Sequence, residues 1–413
     1  MKFWYVSKYA GNPKYSNHLR HYFISKYLQK QGDIDVTLIF SRSSILRTLP
    51  SIKGHFDTLY SDDFRQVILN GPAVGMGFSL KRIWSWFWFE LQFIRYAVKS
   101  KEKPDWLMVS SLSQLTFLSG VILKRLYGCK LIVEVRDIYP LTLTELSGFN
   151  RNNPFVVFLQ WIERKAYASA DIIVSTLYNH AEHVKKISPG AENKCYYIPM
   201  GYDPERIEIA AVAAEDDSMG LTKRSLEGKF VVGYVGSFGV SQATKVIFEA
   251  IEEMRNDSNI VFLLVGSGPE KAKGLELVSD CDNYLSIERV PSDKVQFYAQ
   301  QCDVLLNPWL KRSIYQFGVS PNKWIDYMKA SKPFIVGLEN SDPVLEKSKS
   351  AFQIQPEDTS ALVEKIREIA NIDRKILKEM GQNGRAYLEA EMSYESHANT
   401  LRTLIRNWNV QTG

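Results

Sequence analysis

The chain has 413 residues, 45% of them hydrophobic and 23% charged, with a formal net charge of +5. One hydrophobic core rarely serves more than about 250–300 residues, so at least two domains are expected. The composition excludes extensive disorder, and so mild a charge excludes the clustered basic stripe of a nucleic-acid binder. It stays compatible with anionic ligands or an anionic membrane surface. Cys129, Cys195, Cys281 and Cys302 lie far apart without CxxC spacing, and the histidines form no HExxH. Neither a disulfide framework nor a metal site is therefore expected. The opening MKFWYVSKYAGNP lacks the apolar core and cleavage site of a signal peptide, and no run of ~18 apolar residues suits a bilayer-spanning helix. A cytoplasmic location is expected.

Taken in order, residues 2–9 are rich in aromatic residues and read as a strand, followed by a turn at Gly11 to Pro13 and a helical pattern over 15–31. A β-branched strand at 34–40 leads into an irregular stretch. A helix from about 80 to 100 then precedes strands at 105–110, 130–137, 171–177 and 195–201, with helical segments between them, one over 154–169. Strands alternating with helices indicate a parallel sheet covered on both faces. Residues 203–228, rich in Glu, Asp, Ala and Arg, interrupt the pattern and read as a linker with a loose helix. A second series has strand signals at 229–239, 260–268, 283–290, 302–308 and 332–338, and 374–408 is helical in pattern. The fold class is α/β with two doubly wound, Rossmann-like domains. The expected boundaries are 1–203, a linker at 204–228, a second domain at 229–390, and a C-terminal helix at 391–413 packing back on the first domain.

Two glycine-rich turns stand at strand-to-helix junctions of the second series. GYVGSFG carries Gly233, Gly236 and Gly239, and VGSGPE carries Gly266, Gly268 and a helix-opening Pro269. The spacing is GxxGxxG rather than GxGxxG, which disfavours a nicotinamide enzyme. Such turns suit a ligand phosphate at a helix N-terminus, and equally suit a tight turn needing positive φ. SPNKWIDYM, Ser320 to Met328, is the stronger signal. Ser320 reads as an N-cap with Pro321 at the first helical position. Lys323 in the first turn opposes the helix dipole, so it makes sense beside an anion, whereas a capped surface helix gains nothing from it. Asp326, about one turn after Asn322, is placed to accept from ribose hydroxyls.

EVRDIYPLTL (134–143), IPMGYD (198–203), GYVGSFG, VGSGPE and QFGVSPNKWIDYMKASKPFIV (316–336) occur in an order that resembles family-4 glycosyltransferases of the GT-B fold. The likeness is to the bacterial surface-polysaccharide branch that includes WbuB-like enzymes, whose first helix LRHYFISKYL (19–28) also resembles. The resemblance implies two Rossmann-like domains facing across a cleft, with a C-terminal helix crossing back. It implies metal-independent, retaining transfer of a hexosyl or N-acetylhexosaminyl group from a nucleotide-diphosphate sugar, a UDP-linked donor being the leading expectation. No cofactor is implied. The acceptor would be a polyprenyl-diphosphate-linked saccharide or a growing O-antigen, capsule or exopolysaccharide. Two departures stand out: the first acid of the family's acidic pair is replaced by Gly318, and the Arg/Lys pair after the first strand of the second domain is reduced to Lys245.

Without a metal, fixed amides and cations must neutralise the departing diphosphate. Gly236, Gly239, Ser320, Asn322, Lys323 and Arg312 are the diphosphate candidates, and Gly266, Gly268, Pro269 and Asp326 the nucleotide candidates. In the first domain Gly11, Asn12 and Arg20 are acceptor candidates at the end of the opening strand. Glu134, Arg136, Asp137 and His21 are the catalytic candidates, with a structural ion pair or a satisfied interface histidine equally open readings. KRIWSWFWFELQFIRYAVKSK, Lys81 to Lys101, sets Trp84, Phe87, Trp88, Leu91 and Ile94 on one helical face and Trp86, Phe89 and Phe93 on another. It reads either as a helix packed on the sheet or as an interfacial anchor on an anionic membrane. A GT-B-like sugar-nucleotide epimerase and an inactive sugar-nucleotide-binding scaffold remain the alternative functions.

Overall fold

The computed structural model describes residues 1–16, 18–42, 52, 54–72, 74, 80–206, 226–292 and 294–412. The chain divides into two compact units. The first comprises Met1–Gly201, Phe317–Ser320 and Tyr394–Gly413, the second Tyr202–Gln316 and Pro321–Ser393. Most of the expected linker, residues 207–225, lies outside the described residues.

The first unit is built on an eight-stranded sheet in the order β3-β4-β2-β1-β5-β6-β7-β8. Its strands are β1 (Lys2–Val6), β2 (Asp35–Ser41), β3 (Phe56–Ser61), β4 (Phe64–Leu69), β5 (Trp106–Ser110), β6 (Lys130–Val135), β7 (Ile172–Ser175) and β8 (Cys195–Tyr197). All pairings are parallel except the β3–β4 hairpin. A parallel sheet needs cover on both faces, so its strands read as continuous apolar runs. Here α1 (Arg20–Lys30), α2 (Leu80–Lys99), α3 (Leu115–Tyr127), α4 (Leu141–Leu146), α5 (Pro154–Ser169) and α6 (His180–Ile187) serve that sheet. The start of α5 is legible: the Asn153 side chain accepts from the Phe155 N–H and Pro154 opens the helix. The hairpin corrects the reading of this region as irregular. It turns at Asp62 and Asp63, both in the left-handed region with φ of 50° and 63°. Aspartate tolerates that conformation, but without glycine the turn lacks the usual hairpin signature.

The second unit holds β9 (Phe230–Val235), β10 (Ile260–Val265), β11 (Tyr284–Ile287), β12 (Val304–Pro308), β13 (Phe334–Gly337) and β14 (Ala351–Ile354). They form an all-parallel sheet in the order β11-β10-β9-β12-β13-β14. Numbered within the unit this is 3-2-1-4-5-6, the strand order of dinucleotide-binding sheets. The helices are α7 (Lys245–Glu253), α8 (Pro269–Leu277), α9 (Val295–Gln300), α10 (Asn322–Lys329), α11 (Pro343–Ser348), α12 (Thr359–Ala370) and α13 (Arg374–Glu391). Val232, Tyr234, Phe262, Leu264 and Leu306 form the core with Phe248 and Ile251 of α7 and Ile366 of α12.

The helical pattern at 374–408 resolves into two helices, α13 and α14 (Tyr394–Thr412). The break is occupied by Tyr202, whose N–H donates to the Met392 carbonyl. Beyond it α14 belongs to the first unit. The Tyr394 and Phe23 rings stack at 5.5 Å, Trp408 meets the Trp106 ring edge-on at 5.4 Å, and Arg402 and Arg406 pair with Asp33. Ala398, Leu401 and Ile405 lie in the core of that unit. Among the described residues no helix is long and apolar enough to cross a membrane.

Leu401 is 1% exposed, so Leu401→Ala should cost about 2–5 kcal/mol through lost burial and the cavity left behind. Urea unfolding followed through the first unit's tryptophans would report it. An unchanged midpoint would mean that α14 contributes nothing to that core.

Candidate nucleotide and acceptor sites

In open α/β sheets ligands bind outside the carboxyl ends of the strands, where the strand order reverses. In the second unit that point lies between β9 and β12. β9 runs into Gly236 and β10 into Gly266, and the two turns close on each other. Gly266 has φ +137°, and a Cβ there would stand 1.8 Å from the Gly236 carbonyl oxygen. The Gly236 N–H donates to Val265 O, the Phe238 N–H to Ser267 O and the Glu270 N–H to Phe238 O. Gly268 precedes Pro269 at the first position of α8, and a Cβ on it would meet Phe238 O at 2.2 Å. Gly266 and Gly268 are thus required by close backbone approach. Gly239 stands in open space, its carbonyl accepting from the Gln242 N–H.

The side chain of Lys323 crosses this junction. A Cβ on Gly236 would lie 2.5 Å from its Cε. Its ammonium donates to Gln242 Oε1 at 3.1 Å and sits 5.0 Å from the Tyr234 ring centre. Burial pulls its pKa down to about 8, against a smaller upward pull from Asp326. Gln242 Oε1 also accepts from Asn307 Nδ2 at 3.3 Å, and Asn307 Oδ1 accepts from the indole N–H groups of Trp309 and Trp324. The result is a half-buried cation with a neutral partner. Among the described residues no carboxylate forms an ion pair with it.

Ser320 does not cap α10. Pro321 stays extended at φ −80° and ψ 141°, so the helix begins at Asn322, and Pro321 has no side-chain cap to offer. The Ser320 hydroxyl instead accepts from the Met200 N–H at 3.0 Å. Asn322 is exposed. The Asp326 carboxyl is half-buried, and burial raises its pKa against the opposing pull of Lys329 and Lys323. Arg312 stands apart on the surface, 3.7 Å from Glu357. Gln242, Tyr234 and Asn307 were not anticipated. Asn307 had a visible signal, a lone amide inside the apolar run VLLNP.

Gly318, where the family's first acid would stand, has φ +103°, and a Cβ on it would meet Tyr178 at 2.8 Å. The Asn179 N–H donates to the Phe317 carbonyl. The segment lies too close to residues 177–179 to carry any side chain at this position.

In the first unit the order reverses between β1 and β5. Glu134, at the end of β6, is wholly buried and accepts from Tyr5 Oη at 2.7 Å and Arg20 Nε at 2.9 Å. Burial would raise its pKa, but the charge of Arg20, with help from His21 and Arg136, brings it down to about 2. Arg20 opens α1 and spends its remaining donors on the carbonyls of Ile198 and Pro199. His21 bonds Ser110 Oγ at 3.0 Å, and burial lowers its pKa to about 3, so it is neutral near pH 7. These three candidates are brought together, yet they are inaccessible, and the Nδ1 of His21 has no hydrogen-bond partner. Gly11 leaves no room for a Cβ beside Ser16, and Asn12 donates to Gln66 Oε1. Arg136 is half-buried beside the Met200 sulfur, and Asp137 is exposed. Among the described residues no group of His, Cys, Asp and Glu is arranged to hold a metal.

Residues 229–371 match the family model "Glycosyl transferases group 1". No curated protein sequence matches the chain. Among solved structures the chain is similar to a sucrose-phosphate synthase from Thermosynechococcus elongatus, with TM-score 0.74, 15% identity and 100% of each chain covered. An α,α-trehalose 6-phosphate synthase from Burkholderia multivorans follows at TM-score 0.71 and 10% identity, over 100% of this chain and 99% of that one. Anabaena HepE in complex with UDP and glucose matches at TM-score 0.64 and 10% identity, over 98% of this chain and 100% of that one. Identities this low establish a shared fold.

Glu134→Gln would leave Arg20 buried without a counter-charge, which should destabilise the first unit by about 3–5 kcal/mol. A denaturant midpoint equal to that of the wild type would disprove the structural role. For Lys323 the sign is opposite. Its folded pKa of about 8 lies below the ordinary 10.5. The buried charge therefore costs stability below pH 8, and the cost is relieved as pH rises toward 10.5. Lys323→Met should be more stable than the wild type at pH 7, with the gap narrowing above pH 8. A pH-independent gap in melting temperature would contradict this.

Proposed function

We propose that the chain is a glycosyltransferase whose second unit holds a nucleotide-diphosphate sugar. The observation that carries this reading is the Lys323 ammonium at the strand-order reversal, half-buried with the neutral Gln242 as its hydrogen-bond partner. The group 1 family match over 229–371 supports it. A departing diphosphate supplies the missing negative charge, and the uncapped first turn of α10 adds amides and a dipole pointing the same way. Asp326, one turn further along, is the candidate for ribose hydroxyls. Gly236, Gly239, Gly266, Gly268 and Pro269 shape the backbone beside the diphosphate, while Asn322 is available at the helix start.

UDP is the favoured nucleotide, an expectation in keeping with the UDP present in the HepE complex. The resemblance of residues 316–336 to retaining enzymes makes metal-independent retention the proposed outcome. The acceptor proposed is a polyprenyl-diphosphate-linked saccharide of surface polysaccharide assembly, met by the first unit near Asn12, Arg136 and Asp137. Contact with the inner face of the membrane through Lys81 to Lys101 fits such an acceptor.

Thermal-shift measurements with UDP, GDP, dTDP and ADP test the donor site, since a ligand that binds only the folded state raises its melting point. A shift with UDP is expected, and no shift with any of the four would defeat the proposal. Because the bound diphosphate favours the protonated amine, affinity should weaken as pH climbs above about 8. Lys323→Ala should lose both the affinity and this pH response while keeping its fold. Donor turnover that is unaffected in Lys323→Ala would refute the role given to the lysine.

A further inference from the structure

The connections β4→β5, β5→β6 and β6→β7 all step in one direction across the first sheet. Right-handed crossovers therefore lay α2, α3 and α5 on the same face. The three form a continuous layer: α3 packs on both neighbours, and the Trp86 ring of α2 stacks with Phe155 of α5 at 6.4 Å. Their inner residues do what the sheet requires. Trp86, Phe89 and Phe93 are buried.

The outer residues are the unexplained part. On α2, Trp84, Phe87 and Leu91 are 59%, 46% and 57% exposed. On α3, Ile122 and Leu126 face solvent, and on α5 so do Val157, Phe158 and Trp161, the last two stacked on each other. So many exposed apolar side chains on one packed helical layer mark an interaction surface. Charge decides its occupant. The only acids in the three helices are Glu90 and Glu163, both buried. The exposed charges are Lys81, Arg95, Lys99, Arg125, Arg164 and Lys165, all cationic. A second copy meeting this face isologously would set cations against cations. An anionic phospholipid surface matches both features, taking aromatic and aliphatic side chains at the headgroup boundary and drawing the cations electrostatically.

We propose that the outer faces of α2, α3 and α5 together form a docking surface for an anionic phospholipid bilayer. This extends well beyond the Lys81–Lys101 segment and stands independently of the transferase reading. The protein lies on the membrane by this layer.

The test is sedimentation of the full chain with phosphatidylcholine vesicles, with and without phosphatidylglycerol. Binding should require phosphatidylglycerol and weaken with added salt. Leu126→Ser with Trp161→Ser, which leaves α2 intact, should weaken partitioning about tenfold or more. Arg125→Glu with Lys165→Glu should remove most of the phosphatidylglycerol dependence. All four sites are exposed, and unchanged far-UV spectra and melting points would verify the fold of each variant. Wild-type partitioning by the α3/α5 variants would overturn the three-helix surface. So would binding indifferent to phosphatidylglycerol, or a concentration-dependent dimer in light scattering that the Leu126/Trp161 variant abolishes.

Discussion

Both units obey one constraint: a parallel sheet must be covered on each face, so its strand ends are where the interior reaches ligand. At those ends the two sheets treat buried cations in opposite ways. Arg20 is answered in full by Glu134 and two backbone carbonyls. Lys323 has the neutral Gln242, and its proton is correspondingly loosely held. A matched pair that deep serves architecture, because removing either partner strands the other. An unmatched cation costs stability and persists where something else gains from it. The same comparison places Glu134 and His21 in the interior, whereas Arg136 is half-buried and Asp137 exposed.

The doubly wound arrangement was legible because burial on both faces forces long apolar runs, as in KLIVEV of β6 and IVFLLV of β10. The misses have local causes. The β3–β4 hairpin turns on two aspartates in the left-handed region, where sequence offers no glycine to announce it. The break between α13 and α14 depends on Tyr202, some two hundred residues earlier in the sequence, and periodicity is blind to such a partner. Ser320 looks like a cap by spacing. Pro321 is instead extended, and the Ser320 hydroxyl accepts from the Met200 N–H, a contact between residues far apart in the chain.

The candidate site was legible in kind and less so in detail. A lysine in the first turn of a helix is visible as an oddity because it opposes the dipole. Its companions are not, since Gln242 and Tyr234 become neighbours only when the β9 turn folds against α10. Gly318 shows the limit most plainly. In sequence it reads as a departure from the acidic pair and leaves an inactive scaffold open as an alternative. In the structure its positive φ and the approach of Tyr178 make it a packing requirement.

That reinterpretation changes what the site must accomplish. On the proposed reading, with a side chain sterically excluded at position 318, a donor sugar would be met by neutral groups or the backbone, and charge handling would fall to the diphosphate site. Lys323 would suit this division, for its ammonium sits on a flexible stem and its pKa responds readily to burial. Burial raises the Asp326 pKa, against the opposing pull of Lys329 and Lys323. Among the described residues Lys323 forms no ion pair and keeps the neutral Gln242 as its hydrogen-bond partner. The outer faces of α2, α3 and α5 follow the same economy on a larger scale, with acids turned inward and cations left facing out.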